Sequence, residues 1–298
     1  MKPLKKALTY EQQIEHLKSS HGLEIPNLDS ALNILKRVNY YRLSAYGIGL
    51  KKDSDPEMFQ DGISIDYLFD LYSFDSSFRS LVLHTVEQIE IQLRTQIAYY
   101  LSLKYGAEGY LNPDYFITKV KKDGTDIHSS VIASFRNECK RQNKVPFVIH
   151  HNEQYGGHFP LWVAIELFSF GNLSSLLDIM KDEDKKQIAA LYNTEPKYLK
   201  SWVLSLVEVR NICAHYSRLY NMPLKQTPFL YSEYREFRNE RINKIFPVLL
   251  VIKRMLADNQ ELWDSFFIDL CSLIKDYSNV LNLSFIGFPT NWKSVLSK

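Results

Sequence analysis

The chain has 298 residues, of which 45% are apolar and 23% charged, so it is long enough to form one large domain or two smaller ones around a real core. Its formal net charge of +2 is far below that of proteins that bind nucleic acids through overall charge, so any RNA contact needs a local basic patch. Its three cysteines are widely spaced, which argues against a disulfide framework or a clustered zinc site and favours a reducing compartment.

The first predicted unit covers residues 1–62. Its basic start lacks the apolar segment of a signal peptide, and the apolar runs of the chain are too short to span a membrane, so we expect a cytoplasmic protein without a membrane partner. A helix is predicted at YEQQIEHLKSS, and Asp29 and Ser30 are the predicted caps of a second helix, ALNILKRV. The Tyr-rich segment NYYRLSAYG follows and leads into a predicted loop.

The second predicted unit, residues 63–225, is a helical core. Apolar residues recur every three or four positions across residues 65–105, which predicts one long helix or two helices joined near residues 75–77. A later helix is predicted to begin near Pro196, because proline is favoured in the first turn, and to run to about Tyr220.

A third predicted unit, residues 226–298, contains two amphipathic helices at residues 237–256 and 259–278. No linker rich in glycine or serine separates the three units, so we expect them to pack together rather than to fold independently. Alternating strand patterns are nearly absent from the whole chain. The sequence therefore predicts an all-α fold, with an N-terminal helical extension and C-terminal helices around a helical core.

The helix that is predicted to begin near Pro196 carries Arg210, Asn211 and His215 within an otherwise apolar pattern. An arginine holds a phosphate with a permanent charge, and a histidine moves protons near pH 7. Together they supply what metal-free RNA cleavage by 2′-OH attack needs, so we expect neither a metal nor a cofactor.

The spacing of the two side chains constrains this hypothesis. An ideal helix would place Arg210 and His215 about 140° apart. A working site therefore needs a distorted helix end, a long arginine reach, or a second subunit at a two-fold interface. Arg79 and His84 repeat the same spacing, and we interpret that pair as surface positions on a core helix.

Spacing alone leaves a structural alternative open, in which Arg210 pairs with a carboxylate such as Glu90 and His215 is a satisfied core residue. Glu90 and Arg94 lie on nearly one face of the long predicted helix. They either orient Arg210 as supporting residues or form an ordinary ion pair within their own helix.

Candidate RNA contacts combine cationic and aromatic side chains. Tyr41 and Arg42 have the composition of a base-stacking surface, and the alternative is that the tyrosines of this segment are buried between the N-terminal unit and the core. Lys121 and Lys122 are candidate phosphate contacts or plain surface residues, and Arg218 is a further candidate. Three histidines lack the regular spacing of metal ligands, namely His150, His151 and His158.

The stretch RNICAHYSRLYN resembles the R-N-x-x-A-H-x-x-R-L-x-N signature of the bacterial abortive-infection (Abi-like, AbiD/AbiF) proteins, which belong to the HEPN superfamily. Four further blocks are similar to that family's blocks and occur in the same order, namely NYYRLSAYG, LYSFDSSFRSLVLHTVEQIEIQLRTQIAYY, PLWVAIELFSFGNLSSLL and GFPTNWKSVL. The resemblance implies a HEPN-like helical core that forms a homodimer.

The same resemblance implies a toxin-like, metal-independent endoribonuclease that acts in phage defence, with Arg210, Asn211 and His215 at its site. It also implies an RNA target and, for some members, control by a structured non-coding RNA. Two alternatives from other classes stay open. One is a non-catalytic RNA-binding or scaffold protein that uses the same residues for RNA or dimer contacts, and the other is a DNA-binding helical regulator.

Overall fold

The computed structural model describes residues 4, 6–238 and 243–297. Within this part of the chain the fold is built of helices, and the predicted all-α class is confirmed. The single sheet among the described residues has two short antiparallel strands, β1 (Lys51–Lys52) and β2 (Asp55–Phe59). This hairpin lies in a segment that was predicted to be a loop.

Three helices complete the N-terminal part, namely α1 (Tyr10–His21), α2 (Leu28–Arg37) and α3 (Tyr40–Ser44). The prediction that Asp29 and Ser30 cap α2 is wrong, because the Asn27 side chain accepts the Ser30 N–H at 2.9 Å and the helix begins one residue later. These helices bury a small apolar cluster of their own, which includes Ile65 and Leu68 from the next helix.

Helix α4 (Ile65–Tyr105) is one continuous helix of 41 residues and spans about 60 Å. Ser64 caps its first turn by accepting the Tyr67 N–H at 3.1 Å. Its apolar stripe is fully buried from one end to the other, for example at Phe74 and Leu93. The predicted long helix is therefore confirmed as a single element, and the rest of the core packs around it.

The remaining helices of the core follow in chain order: α5 (Ile127–Arg141), α6 (Pro146–Gln154), α7 (Leu161–Ala164), α8 (Phe170–Ile179), α9 (Asp182–Ala190) and α10 (Pro196–Ala214). Helix α10 packs against α4, α8 and α9 and is buried along one side. The polar motif, Arg210, Asn211 and His215, lies at its C-terminal end. No helix within the described residues is both long enough and apolar enough to cross a bilayer.

Three C-terminal helices close the fold, namely α11 (Phe246–Met255), α12 (Gln260–Asp276) and α13 (Trp292–Ser297). The helix predicted at residues 237–256 is shorter than expected, since α11 begins at Phe246, and residues 239–242 of that prediction lie outside the described residues. Helices α11 and α12 both contact α4 and share the main apolar core. The three unit boundaries given above stay predictions.

Candidate functional site

Helix α10 ends at Ala214, so the prediction that it runs to about Tyr220 is wrong. His215 is the residue that caps the helix, and Tyr216 follows in the left-handed region with φ 56°. The N–H of Tyr216 donates to the Cys213 carbonyl at 3.2 Å, and the N–H of Ser217 donates to the Ile212 carbonyl at 2.9 Å. These two hydrogen bonds to carbonyls of the last helical turn form a Schellman motif, and the helix ends there.

This closure supplies the distorted helix end that the motif requires. His215 has φ −96° and ψ 16°, and its side chain is exposed rather than packed in the core. The part of the structural alternative that made it a satisfied core residue is therefore wrong. Asn211 is also exposed, on the last turn of α10. Two polar side chains of the motif thus face solvent at one end of a buried helix.

Arg210 lies on the same turn, and its side chain contacts Glu90 on the neighbouring helix α4. Its side chain is 34% exposed, and its Nε lies 3.3 Å from the Oε2 atom of Glu90 on α4. Within the described residues its two terminal nitrogens have no hydrogen-bond partner. The charge of Arg210 is thus anchored by one nitrogen, and its planar end is left available to an anion.

Glu90 is the carboxylate on which the arginines converge. Its side chain is only 7% exposed, and its Oε1 accepts a hydrogen bond from Arg94 at 2.5 Å. Arg94 also donates to the carbonyl of Ile165 at 2.5 Å. The geometry therefore contains both contacts that the sequence offered as alternatives, the ion pair within α4 and the support of Arg210. Which of them matters for function stays a prediction.

A second buried carboxylate, which the sequence interpretation missed, fixes the chain beyond the motif. Asp75 on α4 is fully buried, and its Oδ1 accepts the backbone N–H groups of Leu219 at 3.1 Å and Tyr220 at 2.7 Å. Its Oδ2 accepts the Tyr46 hydroxyl at 2.6 Å and a bond from Arg79. Asp75 on α4 thus connects Tyr46 of the N-terminal part to Leu219 and Tyr220, which lie near the end of the stretch RNICAHYSRLYN.

The charge states of this cluster follow from its surroundings. Burial, together with the Asp75 charge, raises the pKa of Tyr46, so its hydroxyl stays protonated and donates. Burial also raises the pKa of the Asp75 carboxyl, and the Arg79 charge opposes that rise. The interpretation of Arg79 as a surface residue is wrong, since it is buried, whereas His84 at the end of the same spacing is exposed.

Two hydrogen bonds join the N-terminal part to residues 216–218, the turn that follows α10. Arg42 donates to the carbonyl of Tyr216, and Arg218 donates to the carbonyl of Ala45. The guanidinium of Arg218 lies over the ring of Tyr46, 5.9 Å from its centroid. These two arginines, both predicted RNA contacts, therefore hold backbone groups in this structure. Their contribution to RNA binding stays a prediction.

The predicted aromatic surface divides into two groups. Tyr46 is buried, as expected for a tyrosine that joins the N-terminal part to the core, while Tyr41 is 82% exposed. Only the exposed ring is available to a ligand without rearrangement of the fold. The role of Tyr41 in RNA binding stays a prediction.

Lys121 and Lys122 are exposed on a turn that precedes α5. The nearby Lys119 pairs with Asp178 at 2.5 Å, and the same carboxylate pairs with Lys200 on α10 at 2.6 Å. Lys200 precedes Arg210 by ten residues, or about 15 Å along the helix. The turn is thus joined to the N-terminal end of α10 through Lys119, while the Nζ of Lys121 donates to Ser130 on α5.

Two other reactive groups have structural explanations. Burial raises the pKa of the Cys213 thiol to about 12, so the thiol stays protonated and is a poor nucleophile. His151 is buried, with its Nδ1 3.0 Å from the carbonyl of His158. Among the described residues, no group of three or more His, Cys, Asp or Glu side chains is arranged to hold a metal ion. Arg210, Asn211 and His215 are therefore among the accessible polar groups at this helix end, whereas Cys213 is not.

Comparisons with known proteins agree with the motif. The chain matches the family model described as "Abi-like protein" over residues 33–221, which is more than half of its length and includes α4 and the whole motif. Neither the curated proteins nor the solved structures give a match. The match to the family model is sufficient to assign the family, and the chain belongs to the Abi-like protein family.

Proposed function

We propose that the protein is a metal-independent endoribonuclease of bacterial abortive infection, the process that membership of the Abi-like family suggests. The observation that carries this proposal is the end of α10. There an exposed His215 follows Arg210, whose Nε faces the buried Glu90, while its terminal nitrogens have no hydrogen-bond partner in the part of the chain that the structure describes. Metal-free RNA cleavage requires at least a cation that binds the phosphate and a group that transfers protons, and this accessible helix end offers both.

The proposed reaction needs no group outside the protein and its substrate. The 2′-OH of the RNA loses its proton to an imidazole and forms a bond to the adjacent phosphorus. The P–O5′ bond breaks, and a protonated imidazole gives a proton to the leaving oxygen. Arg210 stabilises the charge on the phosphate oxygens, and the amide of Asn211 donates to the same group. The products are a 2′,3′-cyclic phosphate and a 5′-hydroxyl.

A homodimer fits this chemistry, because base and acid must act on opposite sides of one phosphorus. A two-fold axis near the exposed end of α10 would supply His215 twice and Arg210 twice. We therefore propose a HEPN-like dimer with the two motifs facing each other and RNA between them. RNA in the bacterial cytoplasm is the proposed target, and a structured non-coding RNA is a proposed regulator.

A second function is favoured by a specific contact, the pairing of Arg210 with Glu90. If that pair is purely structural, the same helix end grips RNA or a second subunit without cleaving anything. The two functions separate at His215, because binding tolerates the loss of an imidazole and proton transfer does not.

The test compares two single variants of the full-length protein, His215→Ala and His84→Ala. Both histidines follow an arginine by five positions and both are exposed, so His84→Ala is a matched control. In excess EDTA we expect the wild type and His84→Ala to cut a mixed RNA substrate equally and His215→Ala to be inactive while still binding RNA. Equal cleavage by His215→Ala would contradict the proposal, as would binding without cleavage by the wild type.

A further inference from the structure

Tyr216 has an unusual backbone conformation for its residue type. The described residues include three non-glycine residues with positive φ, namely Asn193, Asn221 and Tyr216. Asparagine enters the left-handed region with little difficulty, whereas a bulky aromatic residue there is an outlier. A strained backbone at a bulky residue persists only where its surroundings enforce it, and such residues concentrate at functional sites.

The surroundings of Tyr216 enforce this conformation through its backbone. Its N–H donates to the Cys213 carbonyl at 3.2 Å, and its carbonyl accepts the guanidinium of Arg42. Both contacts would be made equally well by a glycine, which adopts a positive φ without steric cost. The fold therefore explains the turn at position 216, but it does not explain the aromatic side chain.

The ring itself is mostly open to solvent. It is 70% exposed, and neither the ring nor its hydroxyl has an aromatic or hydrogen-bonding partner there. Tyr46 and Tyr220 differ sharply, since both are buried and both hydroxyls are bonded. An exposed, unpartnered aromatic ring that destabilises its own backbone is better explained by a ligand than by packing.

We propose that Tyr216 is a stacking platform for an unpaired base next to the scissile phosphate, so that the substrate is single-stranded RNA at that position. The inference rests on the proposed function, because the ring directly follows His215. Aromatic rings stack on any exposed base face, whereas the faces of a paired base are covered by its helical neighbours. The guanidinium of Arg42 donates to the Tyr216 carbonyl, so a cation lies beside this ring's backbone.

The experiment uses two variants of the full-length protein, Tyr216→Gly and Tyr216→Phe. Removal of the strain should make Tyr216→Gly melt a few degrees higher than the wild type, while Tyr216→Phe keeps the ring and the strain and melts as the wild type does. Binding is measured with a single-stranded RNA that contains one 2-aminopurine, whose fluorescence falls when it stacks. All binding proteins also carry His215→Ala, so the RNA stays intact.

We expect Tyr216→Gly to bind this RNA roughly tenfold more weakly and to lose the fluorescence quench, and Tyr216→Phe to retain both. Equal affinity and equal quenching in Tyr216→Gly would overturn the inference. It would also be overturned if a fully paired duplex bound as tightly as the single strand. A loss of self-association in Tyr216→Gly with unchanged quenching would assign the ring to a contact between two copies of the chain instead.

Failure of the inference and failure of the proposed function give different results. If the wild type cleaves RNA and Tyr216→Gly cleaves and binds in the same way, only the stacking platform is refuted. If the wild type does not cleave RNA, the nuclease proposal fails, and the quench measured with the His215→Ala proteins still decides whether Tyr216 stacks on a base.

Discussion

The substitution Asp75→Asn tests the buried carboxylate that fixes the chain beyond the motif. One Asp75 oxygen accepts the N–H groups of Leu219 and Tyr220, and the other accepts the Tyr46 hydroxyl and Arg79. Asparagine has the same shape but offers one oxygen and one NH₂ group. Its NH₂ group must therefore point either toward the two backbone N–H donors or toward the guanidinium of Arg79. The positive charge of Arg79 also loses its buried counter-charge.

The expected cost is large because both partners are removed from water. Breaking a buried ion pair by neutralising one partner costs about 3–5 kcal/mol, and a whole domain is stable by only about 5–15 kcal/mol. For a chain of this size, with an m-value of about 3 kcal/mol/M or more, such a cost lowers the urea midpoint by roughly 1 M. The backbone of Leu219 and Tyr220 should also become more mobile, so cleavage should fall even where the protein is still folded.

Urea unfolding followed by circular dichroism measures this effect. Arg141→Met is the control, because Arg141 pairs with Glu138 at the surface and is 78% exposed, so its loss should leave the midpoint unchanged. The double variant Asp75→Asn/Arg79→Met should recover part of the lost stability, since it no longer buries an unpaired charge. A midpoint of Asp75→Asn equal to that of the wild type would refute the role assigned to Asp75.

Two further predictions concern other charged groups. Glu90→Gln removes the charge that faces Arg210, so we expect kcat/KM for RNA to fall roughly tenfold at a temperature where the variant is fully folded, and unchanged kinetics would make the pair purely structural. Although burial acts in the opposite direction, hydrogen bonds from Lys104 and Tyr100 hold the pKa of Asp184 below its ordinary value. The stability that Asp184 contributes is therefore complete above about pH 4 and is lost as the pH falls through the folded-state pKa. Asp184→Asn should cost about 2 kcal/mol at pH 7 and progressively less as the pH falls below about 4, as measured by chemical denaturation, and a pH-independent difference would contradict this assignment.

The long central helix was predictable because its signal is local and repeated. Apolar residues every three or four positions continue from Leu71 to Leu101, and a serine stands where the first turn needs a cap. The same periodicity predicted α12 nearly to its ends. The start of α2 was misplaced because three neighbouring residues, Asn27, Asp29 and Ser30, are all good caps, and the sequence does not say which of them adopts the extended backbone.

The end of α10 was missed because its cause is not local. A glycine in the left-handed position is a common sequence signal for a helix end, and this chain has Tyr216 at that position. The conformation is stabilised by Arg42, which is far away in sequence. The polar motif was nevertheless found from the sequence, because Arg210 and His215 interrupt an apolar pattern whatever the exact length of the helix.

The cluster at Asp75 was missed because charged residues in a helix are normally exposed. One signal for its burial was present in the sequence. Asp75 and Arg79 are four residues apart and directly follow Phe74 and Phe78, so the ion pair borders the buried stripe. Periodicity alone did not show that the backbone beyond the motif supplies two further donors, since that contact joins positions 144 and 145 residues apart.

The most direct measurement of the central proposal concerns the substrate rather than the protein. The wild type is incubated in excess EDTA with a single-stranded RNA oligonucleotide and with the same oligonucleotide carrying a 2′-deoxy sugar on the 5′ side of the cleaved bond. If His215 and Arg210 promote attack by the 2′-OH, the all-RNA strand yields a 2′,3′-cyclic phosphate and a 5′-hydroxyl, and the 2′-deoxy strand is intact at that bond. Cleavage of the 2′-deoxy bond, or products that end in a 5′-phosphate, would contradict the mechanism.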